Sequence, residues 1–242
     1  MRKKILVKVE EELLECEKLW TFAMMMAVGG FLGAYTYTLK GGVFCNAQTA
    51  NFVLLAMQIG TFNWSKALYY LIPITAYLLG TMISEFLPKH VNKLNILRWD
   101  TFFVAFEMIV IFILGFIPDD APYQICQISI NFVTAMQFNT FRQANKIPMA
   151  TTFCTNHLRQ TGVNLVKWLR GHDKVAKGKF LMHLLMLGTF TGGGIASALL
   201  CMYFKSKAIW GALVLLLIVF IDLLHADLVV EKDMLDVVPH GH

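Results

Sequence analysis

The chain has 242 residues, 57% of them hydrophobic and only 15% charged, with a mean hydropathy of +0.57. Soluble domains carry about 25% charged residues, so this composition argues against a soluble enzyme and for a single integral membrane domain. The net charge of +5 then reads as Lys and Arg held at a cytoplasmic face, and not as a nucleic-acid surface.

At the start of the chain, Glu10, Glu11, Glu12, Glu15 and Glu17 interrupt any early apolar run, so a cleavable signal is not expected. Ile5, Leu6, Val9, Leu13 and Leu14 recur at helical spacing. Residues 1–18 therefore read as an amphipathic helix on the inner membrane surface, with an ordinary solvated helix equally compatible. The first apolar span, 19–39, carries Gly29, Gly30 and Gly33, a track that lets another helix approach closely. No strand precedes these glycines, which argues against a nucleotide loop.

Residues 41–51 break the apolar pattern with two glycines, two asparagines, a glutamine and a threonine. Hydrocarbon offers amide side chains no partners, so this segment must face protein or a polar cavity. Spans follow at 67–87, with Pro73 and Gly80 as kinks, and at 99–116, closed by the acidic turn of Asp119 and Asp120. The span at 123–141 has one polar face made by Gln124, Gln127, Asn131 and Gln137. A second polar segment, 148–157, leads into the basic stretch 159–179, and two last spans, 180–204 and 208–226, precede an acidic tail at 228–242.

Orientation decides what the polar segments are. Lys/Arg-rich regions stay in the cytoplasm, so the N-terminus, the 88–98 loop and the 159–179 loop belong on one side. They reach it together only if residues 41–60 enter the membrane and return. Lys205 and Lys207 then lie outside against the rule, two charges against many. The expected fold is all-α, with six transmembrane helices plus two re-entrant or broken segments. The segments also repeat: Tyr35 matches Phe141, Gly42 matches Pro148, Thr49 matches Thr155 and Asn51 matches His157. Three spans per unit make the second unit (122–227) inverted relative to the first (19–118), an inverted 3+3 repeat.

The run from Gly29 through Gly33 to Tyr37, the segment 41–51, and Pro148-Met149-Ala150-Thr151-Thr152-Phe153-Cys154-Thr155 with Leu158-Arg159 resemble the YoaK-type bacterial membrane proteins (domain of unknown function 1275). The resemblance covers nearly the whole chain and implies a bacterial inner-membrane protein without naming an activity. The family usually has Asp where this chain has Gly33, Gly where it has Ala50 and Asn156, and Asn where it has His157. If that Asp carries protons or ions in relatives, this protein lacks the coupling.

Asn46, Gln48, Thr49, Asn51, Thr151, Thr152, Thr155 and Asn156 form the expected binding site for a small polar solute, since amides and hydroxyls donate and accept without fixed charge. The plainer reading is glue between helices, worth about 0.6 kcal/mol per bond. Glu107 and Asp222 are intramembrane carboxylates, functional candidates by default, with Arg98 as alternative company for Glu107. Gly29, Gly30, Gly33, Gly41 and Gly42 are assigned to packing. His157 and His183 lack a partner at ligand spacing, and the five scattered cysteines make no zinc or disulfide framework, so packed side chains are expected. No Walker loop, nucleophile elbow or His-Glu-x-x-His is present, and neither an enzyme nor a cofactor is expected.

The expected function is a small-solute transporter or channel of the inner membrane. The alternative is a non-transporting sensor or assembly partner. Lipid and a small polar solute are the partners, nucleic acid is not, and a homo-oligomer is left open. With both termini cytoplasmic, a periplasm-active reporter fused after Asp120 should be active and one fused after Arg170 silent. Cytoplasmic activity at both sites would rule out the six-span arrangement.

Overall fold

Leu19–Leu39 (α1) is apolar on every side, as a helix enclosed by others must be. In the computed structural model, which describes residues 13–92, 96–237 and 239, it is the core of a helical bundle. Gln48–Gly60 (α2) and Trp64–Phe86 (α3) follow, then Trp99–Leu114 (α4) and Tyr123–Thr140 (α5). A two-residue β-hairpin, Gln143–Ala144 (β1) with Ile147–Pro148 (β2), turns at Asn145 and Lys146, both with positive φ. Thr155–Gly171 (α6), Lys174–Phe204 (α7) and Trp210–His225 (α8) complete the chain. Asp173, the one acid in the basic stretch, caps α7: its Oδ1 accepts from Val175 N at 2.8 Å and Ala176 N at 3.2 Å.

The amphipathic helix expected over 1–18 falls mostly on residues 1–12, outside the described residues, as does Lys93 of the 88–98 loop. Within its last part, Glu15–Glu17 forms a buried 3-10 turn and not a solvated helix.

Among the described residues, three helical stretches are long and apolar enough to cross a membrane: Leu19–Leu39, Trp64–Phe86 and the continuous run Lys174–Val230. This makes the protein a membrane protein that is helical but for one short hairpin. The other expected spans fall short for visible reasons. α4 has 16 residues, about 24 Å at 1.5 Å per residue, and α5 gives its buried face to Gln127, Asn131, Thr134 and Gln137.

Burial is arranged for lipid. α3 buries Ala67, Pro73, Ala76, Gly80 and Ser84, while Leu68, Leu71, Leu78, Leu79, Met82 and Phe86 point outward. α6 buries His157 and Asn164 and exposes Leu158, Val163, Val166 and Leu169. Small or polar residues inside and large apolar ones outside suit a surrounding hydrocarbon, which gives large side chains no reason to hide.

α1 packs against α7, and α3 against α5. Of the glycine track only Gly30 meets another helix, while Gly29 and Gly33 lie against Thr151 and Asn46 in non-helical chain. A Cβ on Gly30 would strike the Phe190 carbonyl, and one on Gly193 the Ala27 carbonyl, so these two backbones touch. Gly80 meets the Phe132 carbonyl in the same way on the α3–α5 side.

Hydrogen bonds sort the helix ends. One end gathers Lys40, Asp119 and Ser206: Lys40 Nζ donates to Ser206 Oγ at 2.7 Å, and Ser206 N to Asp119 Oδ1 at 3.2 Å. The other end is closed around Arg98, whose side chain is wholly buried. Its backbone N and Nε donate to the two oxygens of Asp227 at 2.9 and 3.0 Å, Nη2 pairs with Glu231, and Asp100 lies 3.8 Å away. Glu231 Oε1 also accepts from Glu15 N at 2.8 Å.

The expected acidic tail is therefore a docked element, in which a π-helical turn, Ala226–Val230, places Asp227 and Glu231 on the arginine. Burial pushes the Glu231 carboxyl above its ordinary value, against the pull of Arg98. Burial opposes the charge of Arg98, yet Asp100, Glu231 and Asp227 hold its guanidinium above its usual range.

Removing that cation leaves three carboxylates buried together. Arg98→Ala should cost about 3–5 kcal/mol, seen as loss of folded, monodisperse protein in detergent. Arg98→Lys should recover only part, because an ammonium cannot reach two carboxylates in a planar fork. Unchanged melting in the alanine variant would show the cluster to be ornamental.

Candidate functional site at the two chain breaks

Gly41 and Gly42 adopt φ of +82° and +68°, a region that disfavours other residues, and turn the chain back after α1. Residues 41–47 then descend along α1 without helical bonds, so their polar groups must find partners across the bundle. Cys45 O accepts from Thr134 Oγ1 of α5 at 3.0 Å, and Lys40 O accepts from Gln127 Nε2 at 2.6 Å. Asn46 Nδ2 donates to Gly29 O in the middle of α1 at 3.0 Å. α2 starts there, with Gln48 Nε2 on Asn131 Oδ1 at 2.6 Å and Asn51 Nδ2 on Gln48 Oε1 at 2.9 Å.

The second break begins at the opposite end. Met149 N donates to Arg142 O at 3.0 Å below the hairpin, and residues 149–154 climb into the bundle. A Cβ on Gly29 would lie 2.5 Å from Thr151 O and 3.2 Å from Thr152 Cα. Gly29 thus touches both breaks, Asn46 through its carbonyl and Thr151 through its bare Cα. One turn earlier on α1, Met25 O accepts from Gln137 Nε2 of α5 at 2.9 Å.

Of the residues expected to line a site, Asn46, Asn51, Thr151 and Thr152 are buried and Gln48 is half-buried. Thr49 and Thr155 are exposed, and Asn156 is half-exposed, accepting from Arg159 Nη2 at 3.1 Å. These three sit on the outer side of the first turns of α2 and α6, where helical rotation carries them away from the centre. They do not belong to the buried site. Gln127, Asn131, Thr134 and Gln137 replace them, and their signal was the polar face of the fifth helix.

Several buried polar atoms have no hydrogen-bond partner among the described residues: Thr151 Oγ1, Asn51 Oδ1, Gln137 Oε1 and both oxygens of Glu107. Glu107 is wholly buried, as its mid-span position predicts. Arg98 is not its company, being spent on Asp227 and Glu231. Asp222 is different: half-buried near the end of α8, it lies beside Glu15 and Lys18, away from the breaks.

His157 and His183, isolated in sequence, meet in space with Nδ1 atoms 3.0 Å apart. They are buried, packed side chains, and they meet because α6 and α7 form a hairpin that folds residues 26 positions apart onto one another. Groups of three or more His, Cys, Asp or Glu able to hold a metal do not occur among the described residues.

A family assignment follows from the chain that carries both breaks. Residues 21–221 match the family described as Protein of unknown function (DUF1275). The chain belongs to that family. No curated protein and no solved structure matches it. In this DUF1275 member a Cβ on Gly33 would lie 2.7 Å from Asn46 Nδ2. The first break fills the room that a side chain at position 33 would need.

Gly29→Ala forces a methyl group against backbone atoms of the second break, which cannot swing aside. A loss of about 1–3 kcal/mol is expected, read as a lower melting temperature in detergent. Gly192→Ala, with nothing within 4 Å of the added carbon, should melt no lower than the parent. Equal melting of the two variants would mean that the breaks do not bear on Gly29.

Proposed function

We propose that this protein is a small-solute transporter or channel of the bacterial inner membrane. In this reading six helices cross the bilayer as two inverted halves, with the solute site where the two breaks meet. The observation that carries it is the convergence of both breaks on Gly29 from opposite ends of the bundle, beside buried polar atoms that the protein leaves unused. A buried hydroxyl or amide without a partner costs about 1–3 kcal/mol, a penalty that a passing solute or water would relieve.

The helix contacts support the two halves. The pairing of α1 with α7 has its counterpart in that of α5 with α3, and the α2–α3 hairpin has its counterpart in α6–α7. The arginine-centred end, with Arg98, Arg142 and the start of α7, is then the cytoplasmic one, and the end with Lys40, Asp119 and Ser206 faces outward.

The chemistry of the solute follows from what the breaks present. α2 and α6 both begin inside the bundle, behind Ala47 and Cys154, and neither has a side-chain cap. Their first N–H groups bias the centre toward electron-rich or anionic groups, by up to about 2 kcal/mol per terminus. Asn51, Thr151 and Gln137 add polar contacts without fixed charge. A small neutral or weakly anionic solute fits this set.

One specific observation favours the alternative, a membrane protein in which the breaks only hold helices together. Asn46, Gln48, Gln127 and Thr134 all spend hydrogen bonds on neighbouring segments. Single cysteines at Ala47 and Thr151, in a background lacking the five native ones, separate the readings. With a membrane-impermeant thiol reagent, Ala47→Cys should react from outside and Thr151→Cys from the cytoplasmic side. If neither reacts while a control at Asp120 does, the breaks are sealed packing and the transport reading falls.

A further inference from the structure

His157 lies in the first turn of α6 and His183 on the buried face of α7. The two rings are 0% and 1% exposed, with centroids 5.2 Å apart and Nδ1 atoms at 3.0 Å. The other nitrogen of His157, Nε2, lies 2.8 Å from the carbonyl of Ala150, inside the second break. A carbonyl can only accept, so His157 Nε2 carries a hydrogen. A neutral imidazole has one N–H, which leaves His157 Nδ1 as a bare acceptor. The 3.0 Å contact then requires the hydrogen on Nδ1 of His183, and the lone pair of His183 sits on Nε2.

The neutral pair is thus satisfied with two hydrogens. A third, taken from water, has one place to go, Nε2 of His183. The imidazolium so formed still donates through Nδ1 to His157, and that bond becomes charge-assisted. A fourth hydrogen would have to occupy His157 Nδ1, setting two N–H groups against each other at 3.0 Å.

We propose that the His157–His183 pair is a binding site for one proton, and that this proton tightens the contact fastening the second break to α7. The site goes beyond the transport reading and stands without it.

The surroundings place the single proton on His183 and not on His157. His157 sits at the N-terminal turn of a 17-residue helix, whose partial positive charge disfavours a cation there. Burial of the His183 ring and Lys179, one turn earlier on α7, both oppose a positive charge there, so the charge-assisted bond to His157 has to offset them. Lys174 and Lys177 on α7, and Arg159, Lys167 and Arg170 on α6, are exposed. α1 brings no charge between Leu19 and Leu39, and its Tyr35 is bonded to Ser206 O at the far end. Asp222 on α8 is turned to Glu15 and Lys18, with His225 beside it. Cys154 and Tyr77, the latter against Thr152, lie near the second break, and Arg142 at its entrance is paired with Glu85. Exposed His172 and Asp173 sit in the loop between α6 and α7, with Asp173 spent on capping α7. No carboxylate among these competes for the proton at the pair.

The full chain, labelled with ¹⁵N-histidine in detergent micelles, tests this by two-bond ¹H–¹⁵N correlation between pH 8.5 and 3.5. At high pH one of the seven histidine rings should be in the uncommon Nδ1–H form, and that signal should vanish in His183→Leu. It should also be lost in His157→Leu, where His183 has no acceptor, and be kept in His157→Gln, whose amide oxygen replaces Nδ1. On acidification the two rings should change together in one step, with uptake of one proton. Every ring in the Nε2–H form at high pH, or independent titration of the two rings, overturns the proposal. Should His157→Leu not fold, the wild-type tautomer and the His157→Gln spectrum still decide the matter.

Discussion

Inside a bilayer a chain that leaves the helix must hand each of its backbone N–H and C=O groups to other protein atoms, because hydrocarbon accepts none. Two segments of this protein leave the helix in the middle of the bundle, and much of the structure answers to them. The carbonyls of Lys40 and Cys45 are met by Gln127 and Thr134, and that of Ala150 by His157. The polar face of α5 exists for the first break. The bare Cα of Gly29 exists for the second, which can come close only where no side chain stands.

The same demand explains why packing and pathway are hard to separate here. A polar side chain that binds a backbone carbonyl also brings polar atoms it does not use. Gln137 gives its amide N–H to Met25 and leaves its oxygen over, and Asn51 does the same beside Gln48. Residues recruited to hold the breaks therefore line the centre with spare donors and acceptors. A solute site at such a place needs few further residues.

The two ends of the bundle are built on different terms. At one, Arg98 gathers three carboxylates from the start of α4 and the turns after α8, and a backbone N–H of the N-terminal 3-10 turn joins them through Glu231. The arrangement binds distant parts of the chain but holds more negative charge than one guanidinium offsets, an imbalance that burial makes costly, so it relies on close geometry and hydrogen bonds. At the other, buried Lys40 donates to Ser206, whose backbone N–H reaches exposed Asp119, where screening weakens that one charge.

Sequence alone determined the membrane class, the burial of Glu107, the close approach at Gly30 and the position of both breaks. Each of these depends on composition, on the cost of burying polar groups, or on the spacing of small residues along one helix, all of which are local. The tertiary structure decided which side of each break faces inward. It sent Thr49, Thr155 and Asn156 out and brought Gln127, Asn131, Thr134 and Gln137 in, because the rotation of a helix about its axis is set by its neighbours. It also docked the acidic tail on Arg98 and joined His157 to His183. Contacts between residues far apart in the chain leave no periodic trace in either segment, so only the folded chain could pair them.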